Sequence, residues 1–483
     1  MLEITNGDAA GSLVPVEDSL VFGRHADGPA RLGGDPELSR RHARVTRTAD
    51  GGLRIEDLGS TNGTFVDGGR VLERELKPGD TVQLGLTTLI VVSRDQRRSQ
   101  SGVRDAPTLA GVSGRRSARA AGAPGVASLR AQFPVFERVS YLNAGTDGPV
   151  PRQSLDAAAA ATRVVLEQGR SGPAHWDQLG AMGTEMRRRY AALLNSEPDE
   201  VALVRSTADG INTVISGIGL SASDELLTTD EEHQSLLAPL AVAARRSGAS
   251  IRVVPFAEIA GEIGPRTRLV ACSHVSWMTG SVIDTEALAR TEVPVLLDGA
   301  QALGAIPVDI RALDCDYYAA AGQKWLCGPD GSGVLYVRSD RVATLLPPWP
   351  SFFSLSDASR PLELPFHDGA ARFDTGNVIG TLAVWVLSAL DVLEDADWDQ
   401  VLERGPRLAG RLAELLRERG VEVMPRGPST LVSWRVEDAE REAERLADRG
   451  FIVRDVPGPG LIRASVGAWS TEEELEGLAA LAG

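Results

Sequence analysis

The sequence predicts a multidomain protein: an all-β sandwich, then a large α/β domain, then a small α+β domain. Three observations carry this expectation. Residues 1–93 read as short alternating strands broken by glycine turns. Residues 94–130 hold eight Arg against two Asp and almost no large apolar side chains. From about Phe133 onward, apolar strands alternate with amphipathic helices.

In the first segment the strands are Leu2-Glu-Ile-Thr, Ser19-Leu-Val-Phe, His42-Ala-Arg-Val-Thr, Leu53-Arg-Ile-Glu-Asp, Thr64-Phe-Val and the run from Thr81 to Val92. Spacing of this kind suits a sandwich with functional loops gathered at one end. The Arg-, Ser-, Ala- and Gly-rich stretch 94–130 cannot bury enough surface to fold and reads as a flexible basic linker. The strands Glu200-Val-Ala-Leu-Val, Leu269-Val-Ala-Cys-Ser and Pro294-Val-Leu-Leu-Asp belong to a large domain over 131–390, a parallel sheet wrapped by helices. Residues 391–483, with Leu431-Val-Ser-Trp, Phe451-Ile-Val and Leu461-Ile-Arg-Ala-Ser, form the small domain.

Composition narrows the class. The chain of 483 residues is 43% hydrophobic and 24% charged, ordinary for a globular protein. No apolar run approaches the ~18 residues that span a bilayer. The first residues lack the basic and apolar regions of a secretory signal, so a cytoplasmic location is expected. A net charge of -16 argues against general nucleic-acid or anionic-membrane binding. Cys272, Cys315 and Cys327 form no CxxC pair, which suits a reducing compartment and predicts no disulfide framework and no metal site.

The chemistry starts from lysine. The chain has only two, Lys77 and Lys324, although arginine is abundant. Arginine cannot stand in where an amine must lose its proton and attack a carbonyl, so Lys324 points to a Schiff base. Pyridoxal phosphate asks four things of a protein: an amine, an anion beside the pyridine nitrogen, a platform for the ring, and donors for the phosphate. Asp298, at the end of the strand Val295-Leu-Leu-Asp, could hold the ring nitrogen protonated. His233, after the strand Glu225-Leu-Leu-Thr, could stack on the ring. Ser206-Thr207-Ala208-Asp-Gly, between a strand and a helix, could meet the phosphate at a helix N-terminus. Taken singly, each has a plainer reading: a helix cap for Asp298 and for Ser206-Thr207, an ordinary polar neighbour for His233. The functional reading rests on their order along one α/β frame with that domain's sole lysine.

Over residues 133–483 the sequence resembles the class V aminotransferase family of fold-type I pyridoxal-phosphate enzymes, the group of cysteine desulfurases and related lyases and epimerases. The matching motifs are Tyr141-Leu-Asn-Ala-Gly-Thr-Asp-Gly-Pro, Arg205-Ser-Thr-Ala-Asp-Gly-Ile-Asn, Glu232-His233, Ser273-His-Val-Ser-Trp-Met-Thr-Gly280, Asp298-Gly-Ala-Gln, Gly322-Gln-Lys324-Trp, Arg372-Phe-Asp-Thr-Gly-Asn377 and Arg463-Ala-Ser465. The resemblance implies that Lys324 carries the cofactor, Asp298 contacts its ring nitrogen, and Ala300 and Gln301 lie beside the ring and its phenolic oxygen. It further implies that His233 stacks over the ring, Ser206 and Thr207 bind phosphate, and Arg463 pairs with the substrate carboxylate. The Gly376-Asn377 region would reach a neighbouring subunit's site, so a homodimer is expected.

The departures from the family pattern bear on the reaction. Gln323 stands where members often carry His, and Asn377 where they carry threonine; both keep a polar donor for the cofactor. The stretch Arg454 to Arg463 lacks the mobile-loop cysteine with which one branch of desulfurases takes up sulfur as a persulfide. The expected activity is therefore a carbon–sulfur β-elimination lyase or an epimerase acting on an amino acid by Cα deprotonation. The alternatives are an aminotransferase, or a catalytically degenerate adaptor that chiefly binds phosphothreonine partners. Asn143, Thr146, Trp277 and Arg372 are candidates for the substrate side, each with an equal reading as a packing or capping residue.

The first 93 residues resemble a forkhead-associated (FHA) domain, a phosphothreonine-reading sandwich, through Gly23-Arg24, Ser39-Arg40-Arg41-His42 and Leu58-Gly-Ser-Thr-Asn-Gly-Thr-Phe-Val. The resemblance implies that Arg24 and Ser39 hold the phosphate, Arg40 and Thr61 support it, and Asn62 grips the peptide backbone, with His42 packing the loop. The expected partner is a phosphothreonine-containing protein or the chain's own linker at Thr108.

Overall fold

The computed structural model of the chain describes residues 2–4, 13–16, 18–24, 37–48, 52–77, 79–91, 125–374, 376 and 380–482. These form two compact units that divide near residue 106. Residues 94–124, with Thr108, and Asn377 lie outside the described residues.

The amino-terminal unit is a sandwich of antiparallel sheets. One follows the order Leu13–Val14, Leu2–Ile4, Thr87–Val91, Thr81–Leu84, Thr64–Val66, Gly69–Val71. The other runs Ser19–Phe22, Ala43–Arg47, Leu53–Asp57, Glu73–Leu76. Alternation sets the inner face: Leu53 and Ile55 are buried while Arg54 and Glu56 are exposed, as a pleat with one wet side requires. Leu2, Phe22, Val45, Ile55, Val82, Leu84 and Leu89 meet in its core.

The second unit is built on a seven-stranded sheet in the order Val201–Val204, Gly333–Val337, Tyr317–Ala321, Val295–Asp298, Thr267–Ser273, Glu225–Thr229, Ser250–Val254. It is mixed where an all-parallel sheet was expected, because Gly333–Val337 runs antiparallel to both neighbours. That strand follows Tyr317–Ala321 through a loop too short for a crossover helix, so it can only return antiparallel. The strands Val201–Val204, Val295–Asp298, Tyr317–Ala321 and Gly333–Val337 are buried at every position and nearly continuously apolar, because helices cover both faces. Leu203, Leu227, Val270, Leu297 and Tyr318 pack with Met186, Tyr190, Val384 and Leu387 on one side. Their alternates Ala202, Leu226, Leu269, Leu296 and Ala319 pack with Ile211, Val214, Leu236 and Leu240 on the other.

A three-stranded antiparallel sheet, Leu431–Arg435, Leu461–Ser465, Arg454–Val456, forms the small domain with the helix Trp398–Glu418, whose Leu408, Leu412 and Leu416 are buried against it. The chain's earlier residues enter this domain too: Ser140–Tyr141 pairs in parallel with Phe451–Ile452.

The predicted linker ends too late. Val126–Ala131 is a helix, Leu129 is 1% exposed, and Arg130 donates to both carboxylate oxygens of Glu474 at 3.0 and 2.8 Å. Contacts with residues more than three hundred positions away hold this short helix, and local composition does not reveal them. Among the described residues no helix is long and apolar enough to cross a membrane. Nor, among them, is any cluster of His, Cys, Asp or Glu placed to hold a metal ion.

Candidate active site

Five strands of the large sheet, Val201–Val204, Glu225–Thr229, Thr267–Ser273, Val295–Asp298 and Tyr317–Ala321, run in one direction, and the segments that leave their carboxyl ends converge. Side chains at such ends face the ligand crevice of an open α/β sheet. Here they line a cavity of about 230 Å³ that holds Ser206, Thr207, His233, Asp298, Ala300, Gln301, Gln323 and Lys324, together with Trp277 and Arg463.

Lys324 follows the strand Tyr317–Ala321 in a tight loop fastened by Gly322 N–H to Ser332 O (2.8 Å) and Gly328 N–H to Gly322 O (2.9 Å). A Cβ at Gly322 would fall 2.3 Å from Ser332 Oγ, so only glycine lets the loop close. Desolvation is the largest influence on the Lys324 amine and brings its pKa down to about 8, against the pull of Asp298 in the other direction. The Asp298 carboxyl is buried; desolvation pushes its pKa up, Lys324 opposes this, and Ala300 N–H donates to it at 2.9 Å.

His233 caps the helix Gln234–Ser247, its Nδ1 accepting from Ser235 N–H at 3.1 Å. The ring proton is therefore on Nε2. Burial, then the nearby Lys324, Arg454 and Arg463 cations, lower its pKa to about 4, so the imidazole is neutral. The Trp277 ring stands edge-on to it at 4.9 Å. Next to His233, the buried Glu232 accepts from Thr229 Oγ (2.5 Å), Ser273 N–H (3.0 Å) and Ser273 Oγ (2.6 Å), tying two strand ends together, and burial raises its pKa to about 7.

The donor set fits pyridoxal phosphate. Ser206 caps the 11-residue helix Thr207–Gly217, whose N-terminus opens on the cavity. Thr207 Oγ is buried there with no hydrogen-bond partner in the chain, which leaves its hydroxyl to donate to a ligand, and Gln323, whose amide NH2 can donate, lines the same cavity. Gln301 is oriented by Nε2–H to Gly145 O (2.7 Å) and by Trp325 Nε1–H to its Oε1 (3.1 Å). At Gly145 a Cβ would come within 2.7 Å of Ser465 Oγ and 2.9 Å of Gln301 Oε1.

Two expected substrate-side residues are not in the cavity. Arg372 donates Nε–H to His367 O (2.8 Å) and packs near the Phe366 ring, holding its own loop. Asn143 acts one step back: its Oδ1 accepts from Thr146 Oγ at 2.7 Å, and Thr146 lines the cavity. Two charged residues of the cavity went unrecognised, Asp147 and Arg454. Arg454 could have been found: Pro457-Gly458-Pro459-Gly460 is a turn, and a hairpin about it sets Arg454 opposite Arg463.

In the amino-terminal unit the expected phosphate-binding residues are joined through Ser39. Arg24 N–H donates to Ser39 O (3.1 Å), Thr61 N–H to Ser39 Oγ (3.0 Å), and Ser39 Oγ to Thr61 Oγ (3.4 Å). His42 is buried and bridges the two loops, Nδ1 accepting from Ser39 N–H and Nε2 lying 3.0 Å from Gly63 O. Gly63 has φ +88°, as its turn requires. Asn62 Nδ2 donates to Glu37 O (2.8 Å), Arg40 is exposed, and Arg24 Nε is buried without a partner.

Residues 141–478 match the family model of the aminotransferase class-V proteins, and residues 20–85 match that of the FHA domain. A cysteine desulfurase of Salmonella newport (strain SL254) is 32% identical over 312 residues, 58% of this chain and 76% of the relative. Among solved structures, the cystine C–S lyase C-DES in complex with its reaction product, cysteine persulfide, is 27% identical with a TM-score of 0.66, covering 73% of this chain and 99% of that one. A C-DES variant with glycine covalently linked to its PLP cofactor is 26% identical with a TM-score of 0.67, covering 73% and 98%.

Proposed function

The chain belongs to the aminotransferase class-V family, with an FHA domain at residues 20–85 and pyridoxal 5'-phosphate as its cofactor, and from that premise we propose that it is a carbon–sulfur lyase acting on β-sulfur amino acids. Thr207, the helix N-terminus behind Ser206 and the Gln323 amide would hold the cofactor's phosphate. Asp298 would face its ring nitrogen, His233 one ring face, and Ala300 and Gln301 its other edge. Lys324 is the residue to which it would attach. When bound, the cofactor supplies an electron sink for the negative charge left at the substrate Cα.

The chain's own groups supply the rest. Arg463, 1% exposed, holds the substrate carboxylate. Its pKa falls to about 9 through burial first and the neighbouring Arg454 second, and an incoming carboxylate opposes both effects by favouring the charged guanidinium. Lys324 Nζ, with a pKa of about 8, is near enough to neutrality to take the Cα proton. The Cβ–S bond then breaks with its electron pair leaving on sulfur, and the remaining enamine hydrolyses to a 2-oxo acid and ammonia.

The observation that carries elimination over sulfur transfer to the protein is the placement of the thiols. Cys272, Cys315 and Cys327 are all buried, desolvation pushes each thiol pKa up, and none lines the cavity. The test is to reduce the purified protein with borohydride, map the modified peptide, and incubate the native protein with β-sulfur amino acids. We expect the label on Lys324 and equimolar 2-oxo acid, ammonia and released thiol or persulfide. A persulfide trapped on a cysteine would make the protein a desulfurase. Cα deuterium exchange without sulfur release would make it an epimerase. Colourless protein after incubation with cofactor would leave only an adaptor.

In the same reading the protein is a homodimer, checked by light scattering. Its amino-terminal domain binds phosphothreonine peptides through Arg24, Ser39, Arg40, Thr61 and Asn62, checked by titration with a phosphorylated and an unphosphorylated copy of one peptide.

A further inference from the structure

The small domain presents two arginines to the cavity where one suffices for a substrate carboxylate. Arg454 and Arg463 are direct partners across antiparallel strands. Like charges in that position weaken a strand pair, so the arrangement costs stability unless an anion lies between or beside them. Both donate to a single hydroxyl, Thr146 Oγ, at 3.1 and 3.3 Å. Both lie beside the Trp277 ring, 5.9 and 6.0 Å from its centre. Among the described residues neither has a carboxylate in ion-pair reach. Asp147 lines the same cavity and feels Arg454 without pairing with it.

The two differ in depth. Arg463 is fully enclosed, donates to Trp277 O at 2.9 Å, and keeps one buried nitrogen, Nε, with no partner in the chain. Arg454 is only half-buried. The deeper guanidinium suits the carboxylate on Cα, next to Lys324, and the outer one suits a group farther along the same substrate. We propose that Arg454 is a specificity-determining residue that binds a second, distal carboxylate carried on the substrate's sulfur substituent. This rests on the elimination reading above and narrows its substrate class: the thiol that leaves takes the distal carboxylate with it.

The experiment uses the full-length holoenzyme and two isosteric substrates, S-carboxymethylcysteine and its neutral amide, S-carbamoylmethylcysteine. A charge-assisted hydrogen bond to the distal group predicts a preference for the acid in kcat/KM by a factor of about ten to a hundred, residing mostly in KM. In Arg454→Met the ratio collapses toward one, and in Arg454→Lys part of it returns. Binding of 2-aminoadipate, which has no leaving group, and of its terminal amide follows the same ratios by calorimetry. A ratio near one in the wild type, or one that Arg454→Met leaves unchanged, overturns the proposal. Should neither sulfur compound be cleaved, the elimination reading fails, while the aminoadipate ratio still decides the role of Arg454. Retained cofactor absorbance and circular dichroism of each variant separate a lost contact from a lost fold.

Discussion

Lys324 and Glu232 are both ionisable groups inside the large domain, and burial moves them in opposite directions. For Lys324 it favours the neutral amine and lowers the pKa to about 8. As the base that takes the Cα proton, the amine acts only when unprotonated. The amine is free only once substrate has displaced it, so kcat for a β-sulfur amino acid, which reports the enzyme–substrate complex, should rise with pH and level off above about 8, whereas Lys324→Ala should lose both the visible absorbance and the turnover. For Glu232 the same desolvation raises the pKa to about 7 from 4.5. Between these values the folded state binds more protons than the unfolded chain, so stability falls as pH rises through that window. Glu232→Gln keeps one oxygen to accept from Thr229 Oγ and Ser273 N–H, turns its NH2 toward Ser273 Oγ as a donor and removes the charge, so its melting temperature should change less between pH 5 and 8 than that of the wild type. A parallel decline in both proteins would remove Glu232 as the cause. Lys324, Asp298 and His233 were legible in the sequence because each sits in a short contiguous motif. Asp147 was not, because its place in the cavity depends on how the chain folds back, and Arg454 was legible only through the turn that sets the register of its strand against Arg463. Arg372 misled for the mirror reason: its motif matches, but its guanidinium is spent on the carbonyl of His367.

At the scale of elements, the apolar strands announced themselves, since a strand covered on both faces reads as a nearly continuous apolar run. The antiparallel return of Gly333–Val337 did not, because direction is set by loop length and neighbours rather than by residue type. The helix Val126–Ala131 was hidden inside an Arg- and Ala-rich stretch for a related reason. Six residues are too few to form a helix alone, so this one exists only through its docking. Leu129 is buried, and Arg130 reaches Glu474, the Trp469 carbonyl (2.8 Å) and the face of Phe136 (4.4 Å). Leu129→Ala should cost about 2–4 kcal/mol by the usual measure of a large-to-small core change. A chain beginning at residue 132 should likewise melt below one beginning at residue 120. Equal melting curves for the two truncations would mean that the helix contributes nothing to the large unit.

At the scale of the whole molecule, each unit has a hydrophobic core of its own, one centred on Phe22, Val45, Ile55 and Leu84, the other on the two faces of the seven-stranded sheet. Separate cores imply separate cooperative transitions, and ligands then act as labels for them. A phosphothreonine peptide at about one hundred times its Kd adds about 2.7 kcal/mol to the unit that binds it. For a unit near one hundred residues this is a shift of roughly 10 °C or more. That shift should appear only in the transition of the amino-terminal unit and should vanish in Arg24→Ala, whose guanidinium the phosphate would otherwise engage. Loading with pyridoxal phosphate should raise only the other transition and should vanish in Lys324→Ala. If instead one transition responds to both ligands, the units are energetically coupled. By the reciprocity of linkage, peptide binding would then change the affinity for cofactor or substrate by the same factor that they change the affinity for peptide. Calorimetry of the full chain with each ligand alone and with both therefore distinguishes a tethering module from a regulatory one.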